Sequence, residues 1–175
     1  MKLIDMKSRA IIAVAIAVIV VGAGAYYLLN SGGSLNIQIR DPLPAGWNSV
    51  YINITEVSVH NSTTGGSGGY SKPFSTPVEI NLANTTNKSV FLTSLKLPNG
   101  HYQMIRLVVS GSFGVYDGKT YRISLTSPDI DIAGQFKISS ASTTTVTLDF
   151  NSAQAIHGST FTGFTMTPVV AETVS

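Results

Sequence analysis

Beyond residue 34, apolar side chains recur at every second position in one short run after another, and a two-residue period marks a half-buried strand. Leu35, Ile37 and Ile39 alternate with Asn36, Gln38 and Arg40. A helix would scatter the three apolar residues around its circumference, whereas a strand places them on one face. Asp41-Pro42-Leu43-Pro44-Ala45-Gly46 ends this run, because proline has no N–H to give a ladder. Val50, Ile52 and Ile54 mark a second strand, but the apolar residues that follow, Val57 and Val59, have the opposite parity. One extra residue near Thr55-Glu56, a β-bulge, would restore them to the same face. Asn61 to Thr76 is rich in Gly, Ser and Thr and reads as a long loop.

The pattern continues downstream. Val78, Ile80 and Leu82 predict a short strand, and Val90 and Leu92 another, closed by the turn Pro98-Asn99-Gly100. Tyr102 to Val109 is apolar on both parities except at Gln103 and Arg106, as in a central strand. Phe113 to Tyr116 and Tyr121 to Leu125 flank Asp117-Gly118, a hairpin-turn signal. Phe136 and Ile138 follow. Thr144, Val146, Leu148 and Phe150 alternate with Thr145, Thr147 and Asp149, and Phe161 to Val170 closes the series. Outside the N-terminus no helical periodicity emerges. The chain is therefore expected to be all-β, an antiparallel β-sandwich of about 8–10 strands over residues 35–172.

Residues 1–29 carry a different signal. Ala10 to Leu29 is an unbroken apolar run of twenty residues without a charge. At about 1.5 Å per residue a helix of that length spans roughly 30 Å, the thickness of a bilayer's hydrocarbon core. Lys2, Lys7 and Arg9 precede it, and the next basic residue is Arg40. That asymmetry holds the N-terminus in the cytoplasm and places everything after Asn30 outside. Three fates are open: a signal-anchor helix, a signal peptide cleaved near Ala25 after the A-x-A sequence Ala23-Gly24-Ala25, or a leader cut after Arg9-Ala10, which resembles archaeal prepilin sites. Residues 30–34, Asn30-Ser31-Gly32-Gly33-Ser34, read as a flexible joint.

Charge and cysteine content narrow the functional classes. Beyond residue 25 the eight basic and eight acidic residues balance, so no basic face for nucleic acid is expected. The chain has no cysteine. An exported fold without disulfides must rest on apolar burial and its ladders.

Five segments together resemble a prokaryotic surface family known as domain of unknown function 4382. They are IRDPLPAGWNSVYINITEVSVH (39–60), LPNGHYQMIRLVV (97–109), Ser127-Pro128, LDFNSAQAI (148–156) and MTPVV (166–170), in the family's order over about residues 34–170. The resemblance implies an extracytoplasmic β-sandwich, often tethered to a membrane. It carries over no catalytic residue. The Gly-rich stretch 61–76 departs from the family as a variable loop.

Candidate chemistry is sparse. Asn53-Ile54-Thr55, Asn61-Ser62-Thr63, Asn84-Thr85-Thr86 and Asn87-Lys88-Ser89 are glycosylation sequons, with Asn53, Asn61, Asn84 and Asn87 as acceptors in an exported chain. Asp41, Asp129, Asp131 and Asp149 carry the oxygens calcium takes, but their spacing matches no EF-hand loop, and polar loop and strand exteriors explain them. His60, His101 and His157 lack the spacing that aligns ligands on one element, so no metal site is expected. Gly65-Gly66-Ser67-Gly68-Gly69 fits the letters of a hydrolase elbow, which needs a strand-to-helix turn that a glycine-rich loop does not provide. Gly118-Lys119-Thr120 ends like a phosphate loop, yet Phe113 stands where its first glycine belongs.

Trp47, the single tryptophan, reads as a lid on the sandwich edge rather than an adhesive side chain. No cofactor and no catalytic residue is expected. The leading expectation is a non-enzymatic cell-surface domain with a structural, adhesive or assembly role. Its partners would be the membrane through residues 10–29 and other surface proteins, glycans or copies of itself. Two alternatives stand beside it. One is a filament subunit exchanging the strand Leu35 to Arg40. The other is a carbohydrate or ligand module, which requires that Trp47, Tyr51, Tyr70, Tyr102, Tyr116 and Tyr121 converge.

Overall fold

The computed structural model describes residues 32–61, 69–86, 88–168 and 170–175, so the apolar run 10–29 lies outside the described residues. Among the described residues no helix is long and apolar enough to cross a membrane. The strands are β1 (Gly33–Arg40), β2 (Trp47–His60), β3 (Tyr70–Asn81), β4 (Val90–Leu97), β5 (Gly100–Tyr116), β6 (Lys119–Leu125), β7 (Asp129–Ile138), β8 (Thr143–Asp149), β9 (Ile156–Ser159), β10 (Gly163–Met166) and β11 (Ala171–Val174). A 3-10 turn (Leu82–Thr85) follows β3, and a single helical turn, α1 (Ser152–Ala155), follows β8.

Two sheets face each other. The smaller runs β11-β8-β1-β4, and the larger runs β3-β2-β5-β6-β10-β9 with β7 also paired to β5. The expected antiparallel sandwich is corrected to a mixed one. β1 lies parallel to β8, and β10 lies parallel to β6. Strand alternation specifies which face is buried but not which neighbour pairs with it, so these parallel contacts leave no mark in the sequence.

The core is what the parity predicted. Leu35, Ile37, Ile39, Val146 and Leu148 from the small sheet are fully buried against Val50, Ile52, Ile54, Val57 and Val59 of β2. The ladders of β2 with both its neighbours shift register between Ile54 and Glu56, at the expected bulge. There the Thr55 hydroxyl donates to the Val108 carbonyl, 3.1 Å away, a side-chain bond across the irregular part of the ladder.

Three local expectations change. β3 begins at Tyr70, so the second half of the expected loop 61–76 is strand; Pro73 and Pro77 are tolerated because β3 is an edge strand. Tyr102–Val109 and Phe113–Tyr116 belong to one 17-residue strand. Gly32 and Gly33 are not a loose joint: a Cβ on Gly32 would lie 2.2 Å from the Leu97 carbonyl oxygen, and one on Gly33 2.4 Å from that of Ser139. Those glycines permit close backbone approach, and β1 starts two residues before the expected 35.

Both lateral openings between the sheets are bridged. Lys72 on β3 donates from Nζ to Thr93 Oγ1 (2.8 Å) and to the Ser94 carbonyl (3.0 Å) on β4. On the other side the Glu172 side chain reaches from β11 over Gly134 to the Gln135 backbone on β7. Burial raises the Glu172 carboxyl above its ordinary value.

Candidate functional site

The strand directions define two poles. At the near pole Gly33 pairs with Leu97, Ala141 N donates to the Gly32 carbonyl, and Gly100 pairs with Ile138. β5 runs from this pole to the far one, where it ends at Tyr116, paired with Trp47. The 17 residues of β5 separate the poles by on the order of 50 Å. The turn residues Asp117 and Gly118 both have positive φ (48° and 74°), as a tight hairpin at Asp117-Gly118 requires. Gly118-Lys119-Thr120 is thus a hairpin and the start of β6, not a phosphate loop.

An open groove of about 250 Å³ lies at the far pole, lined among others by Trp47, Tyr116, Phe161 and Phe164. Trp47 is 8% exposed, consistent with the lid reading. Its ring meets Tyr116 edge-on at 5.3 Å and Phe164 at 4.8 Å. Gly114 makes this possible, since a Cβ there would stand 2.5 Å from the indole. Tyr121 also packs edge-on against Phe164, 5.3 Å away. Edge-on aromatic pairs at such distances favour one another beyond simple burial.

The hairpin of β9 and β10 forms the groove's outer wall. Gly158 and Gly163 have positive φ (116° and 82°), and a Cβ on Gly158 would strike the Gly163 carbonyl oxygen at 2.1 Å. Within the turn Ser159 N donates to Thr162 Oγ1 (3.1 Å), while Phe161 N (3.3 Å) and Thr162 N (3.2 Å) donate to Ser159 Oγ. These bonds fix the tip, and the Phe161 side chain stands 98% exposed on it. The sequence pattern let Phe161 to Val170 close the strand series and did not separate Phe161 from it; the strand is Gly163–Met166, and Phe161 belongs to the turn before it. The glycines at 158 and 163, bracketing Ser159-Thr160-Phe161-Thr162, are the signal that marks the turn.

The remaining aromatics divide between other places. Tyr51 stacks on Phe113 at 4.7 Å, and Tyr70 meets Tyr102, which stacks on Phe136. Of the six aromatics singled out in the sequence, Trp47, Tyr116 and Tyr121 converge.

The acidic residues separate as well. Asp131 pairs with Arg106 through two bonds of 2.5 and 2.8 Å, which hold its carboxyl below the ordinary range. Asp41 is fully buried at the end of β1. Its Oδ1 accepts from Ser152 N at 2.9 Å, while the Ser152 hydroxyl donates to the Pro42 carbonyl. Asn151, in the left-handed region (φ 40°), turns the chain into α1 so that Ser152 arrives there. The segments IRDP and LDFNSAQA therefore meet in one structural clamp. Burial lifts the Asp41 carboxyl from 3.8 to about 6, opposed by the bonds from Ser152 and reinforced by the charge of Asp149. Asp41 Oδ2 is buried without a partner. No three His, Cys, Asp or Glu side chains gather as a metal site among the described residues.

His60 is buried beside Ser58, with Nε2 3.0 Å from the hydroxyl, whereas His101 and His157 are exposed on β5 and β9. Ser67 and Asn87 lie outside the described residues. Asn61 and Asn84 are exposed, and Asn53 is half-buried in mid-strand. The Thr86 hydroxyl of the Asn84 sequon donates to the Ala83 carbonyl.

Comparison with known proteins gives the class first: a β-rich domain whose family has no assigned activity. The family model for "Domain of unknown function (DUF4382)" matches residues 32–168, and the chain belongs to that family. No curated protein matches it. A solved structure from Bacteroides ovatus ATCC 8483, named a "putative cell adhesion protein", is similar at 10% identity with a TM-score of 0.31. The match covers 82% of this chain and 44% of that one, so the chain spans less than half of that protein's length.

Proposed function

We propose that this chain is a non-enzymatic cell-surface domain that mediates adhesion, held outside the membrane by residues 10–29 or released by cleavage near Ala25. One observation carries the reading. The described fold begins at Gly32 on the near pole, and the aromatic groove with its exposed Phe161 occupies the opposite pole. A domain tethered at Gly32 presents that groove away from the bilayer. Phe161 adds nothing to the core, and with Trp47, Tyr116 and Phe164 it lines one open groove; an exposed apolar groove of that kind marks a contact surface. Strand exchange finds less support, because β1 is paired on both sides within its own chain, with β8 and β4.

The test is adhesion itself. Cells displaying the chain should attach to surfaces or to neighbouring cells more strongly than cells lacking it, and Phe161→Ala should abolish the difference. Equal attachment with and without the chain would refute the reading.

A further inference from the structure

We infer that the far-pole groove binds one neutral pyranose ring of a glycan, with Phe161 as its stacking face; this rests on the adhesive reading and names the ligand class. Three features carry the inference. First, the groove is lined by aromatic and aliphatic side chains together with Ser159 and Thr160, and no acidic or basic residue lines it. A charged ligand would lose hydration there without gaining a counter-charge. A sugar ring presents apolar C–H faces to an aromatic ring and hydroxyls to its rim, which is the complement of this lining.

Second, the backbone that carries Phe161 is fixed. Three backbone donors of the turn are satisfied by the Ser159 and Thr162 side chains, so the loop does not have to be ordered when a ligand arrives. Binding then avoids the loop-ordering part of the cost, and the 98% exposed ring still loses its own rotamer freedom on contact. Third, the volume suits one ring at a time. At about 250 Å³ the groove falls below the range of about 300–1,000 Å³ typical of drug-sized ligands. Its open side lets the rest of a glycan continue into solvent. A single ring in such a site binds weakly, with Kd on the order of 1 mM, and many displayed copies would supply the avidity.

Saturation-transfer NMR on the full chain, in a detergent without sugar headgroups, tests this. The probes are the methyl glycosides of glucose, galactose and mannose, with glucuronic acid as the charged comparator and phosphatidylcholine vesicles as a lipid control. At least one neutral glycoside should receive saturation on the C–H protons of one ring face. Phe161→Ala should weaken its binding about tenfold or more without changing the melting temperature, and Phe161→Trp should restore it. Absence of transfer to every neutral glycoside at tens of millimolar overturns the inference. So do binding unaffected by Phe161→Ala, a preference for the acid sugar, or Phe161-dependent attachment to vesicles alone. If Phe161→Ala abolishes cell attachment while no glycoside binds, the adhesive reading stands and the sugar falls; loss of neither removes both.

Discussion

Asp41 should make this domain more stable in mild acid than at neutral pH. Its carboxyl is fully buried, one oxygen lacks a partner, and its pKa is raised from 3.8 to about 6, chiefly by burial. The folded state therefore holds the proton more tightly than the unfolded state. The resulting stability is fully present below the unfolded value of 3.8 and is lost as pH rises through about 6. A shift of that size corresponds to ~3 kcal/mol in full, of which ~2 kcal/mol falls between about pH 4.5 and pH 7. Glu172, also raised by burial, acts with the same sign. Asp131, lowered by Arg106, acts oppositely, but its contribution is lost only as pH falls through its folded value, below 3.8.

Thermal unfolding of residues 32–175 followed by circular dichroism should give a midpoint roughly 4–8 °C higher at about pH 4.5 than at pH 7. Asp41→Asn keeps an acceptor for Ser152 N and carries no charge, so it should flatten most of that difference. Asp41→Ala leaves the buried Ser152 N–H unpaired and should cost about 1–3 kcal/mol in acid. A wild-type midpoint no higher in acid, or an Asp41→Asn variant with the full pH dependence, would refute the assignment.

Two further outcomes follow from packing. Leu148→Ala should destabilise by about 2–5 kcal/mol in chemical denaturation, because Leu148 is 0% exposed, while Thr147→Ala, half-buried on the outer face, should cost no more than about 1 kcal/mol; equal losses would place the strand in the wrong phase. Gly33→Ala should cost about 1–3 kcal/mol, since its Cβ meets the Ser139 carbonyl at 2.4 Å, whereas Gly111→Ala, with nothing within 4 Å, should be nearly neutral in the same denaturation experiment.

The sequence made faces legible and neighbours illegible. The bulge at Ile54/Glu56 could be located to a residue because a parity change in apolar positions has few other causes. The hairpin at Asp117-Gly118 was equally readable from turn chemistry. The parallel contacts of β1 with β8 and of β6 with β10 depend on tertiary docking that a two-residue period does not encode. β3 was hidden over 70–76 because an edge strand tolerates the Ser, Thr and Pro composition of a loop. Glycine was ambiguous for another reason. At Gly32 and Gly33 it signals close approach, at Gly158 and Gly163 a turn, and the letter alone does not say which. Of the candidate site, Trp47 and the tyrosines were visible as residues, but their convergence on Phe164 and the exposure of Phe161 arise only once β10 docks beside β6.

The proposal that the domain stands outside the cell with its far pole accessible is tested most directly by surface labelling. The chain contains no cysteine, so a single Thr160→Cys substitution on the exposed β9–β10 turn gives a unique reporter. Intact cells producing that variant, treated with a membrane-impermeant maleimide, should be labelled to the same extent as lysed cells, while Leu148→Cys in the buried core remains unlabelled until the protein is denatured. Labelling of Thr160→Cys only after lysis would contradict the claim.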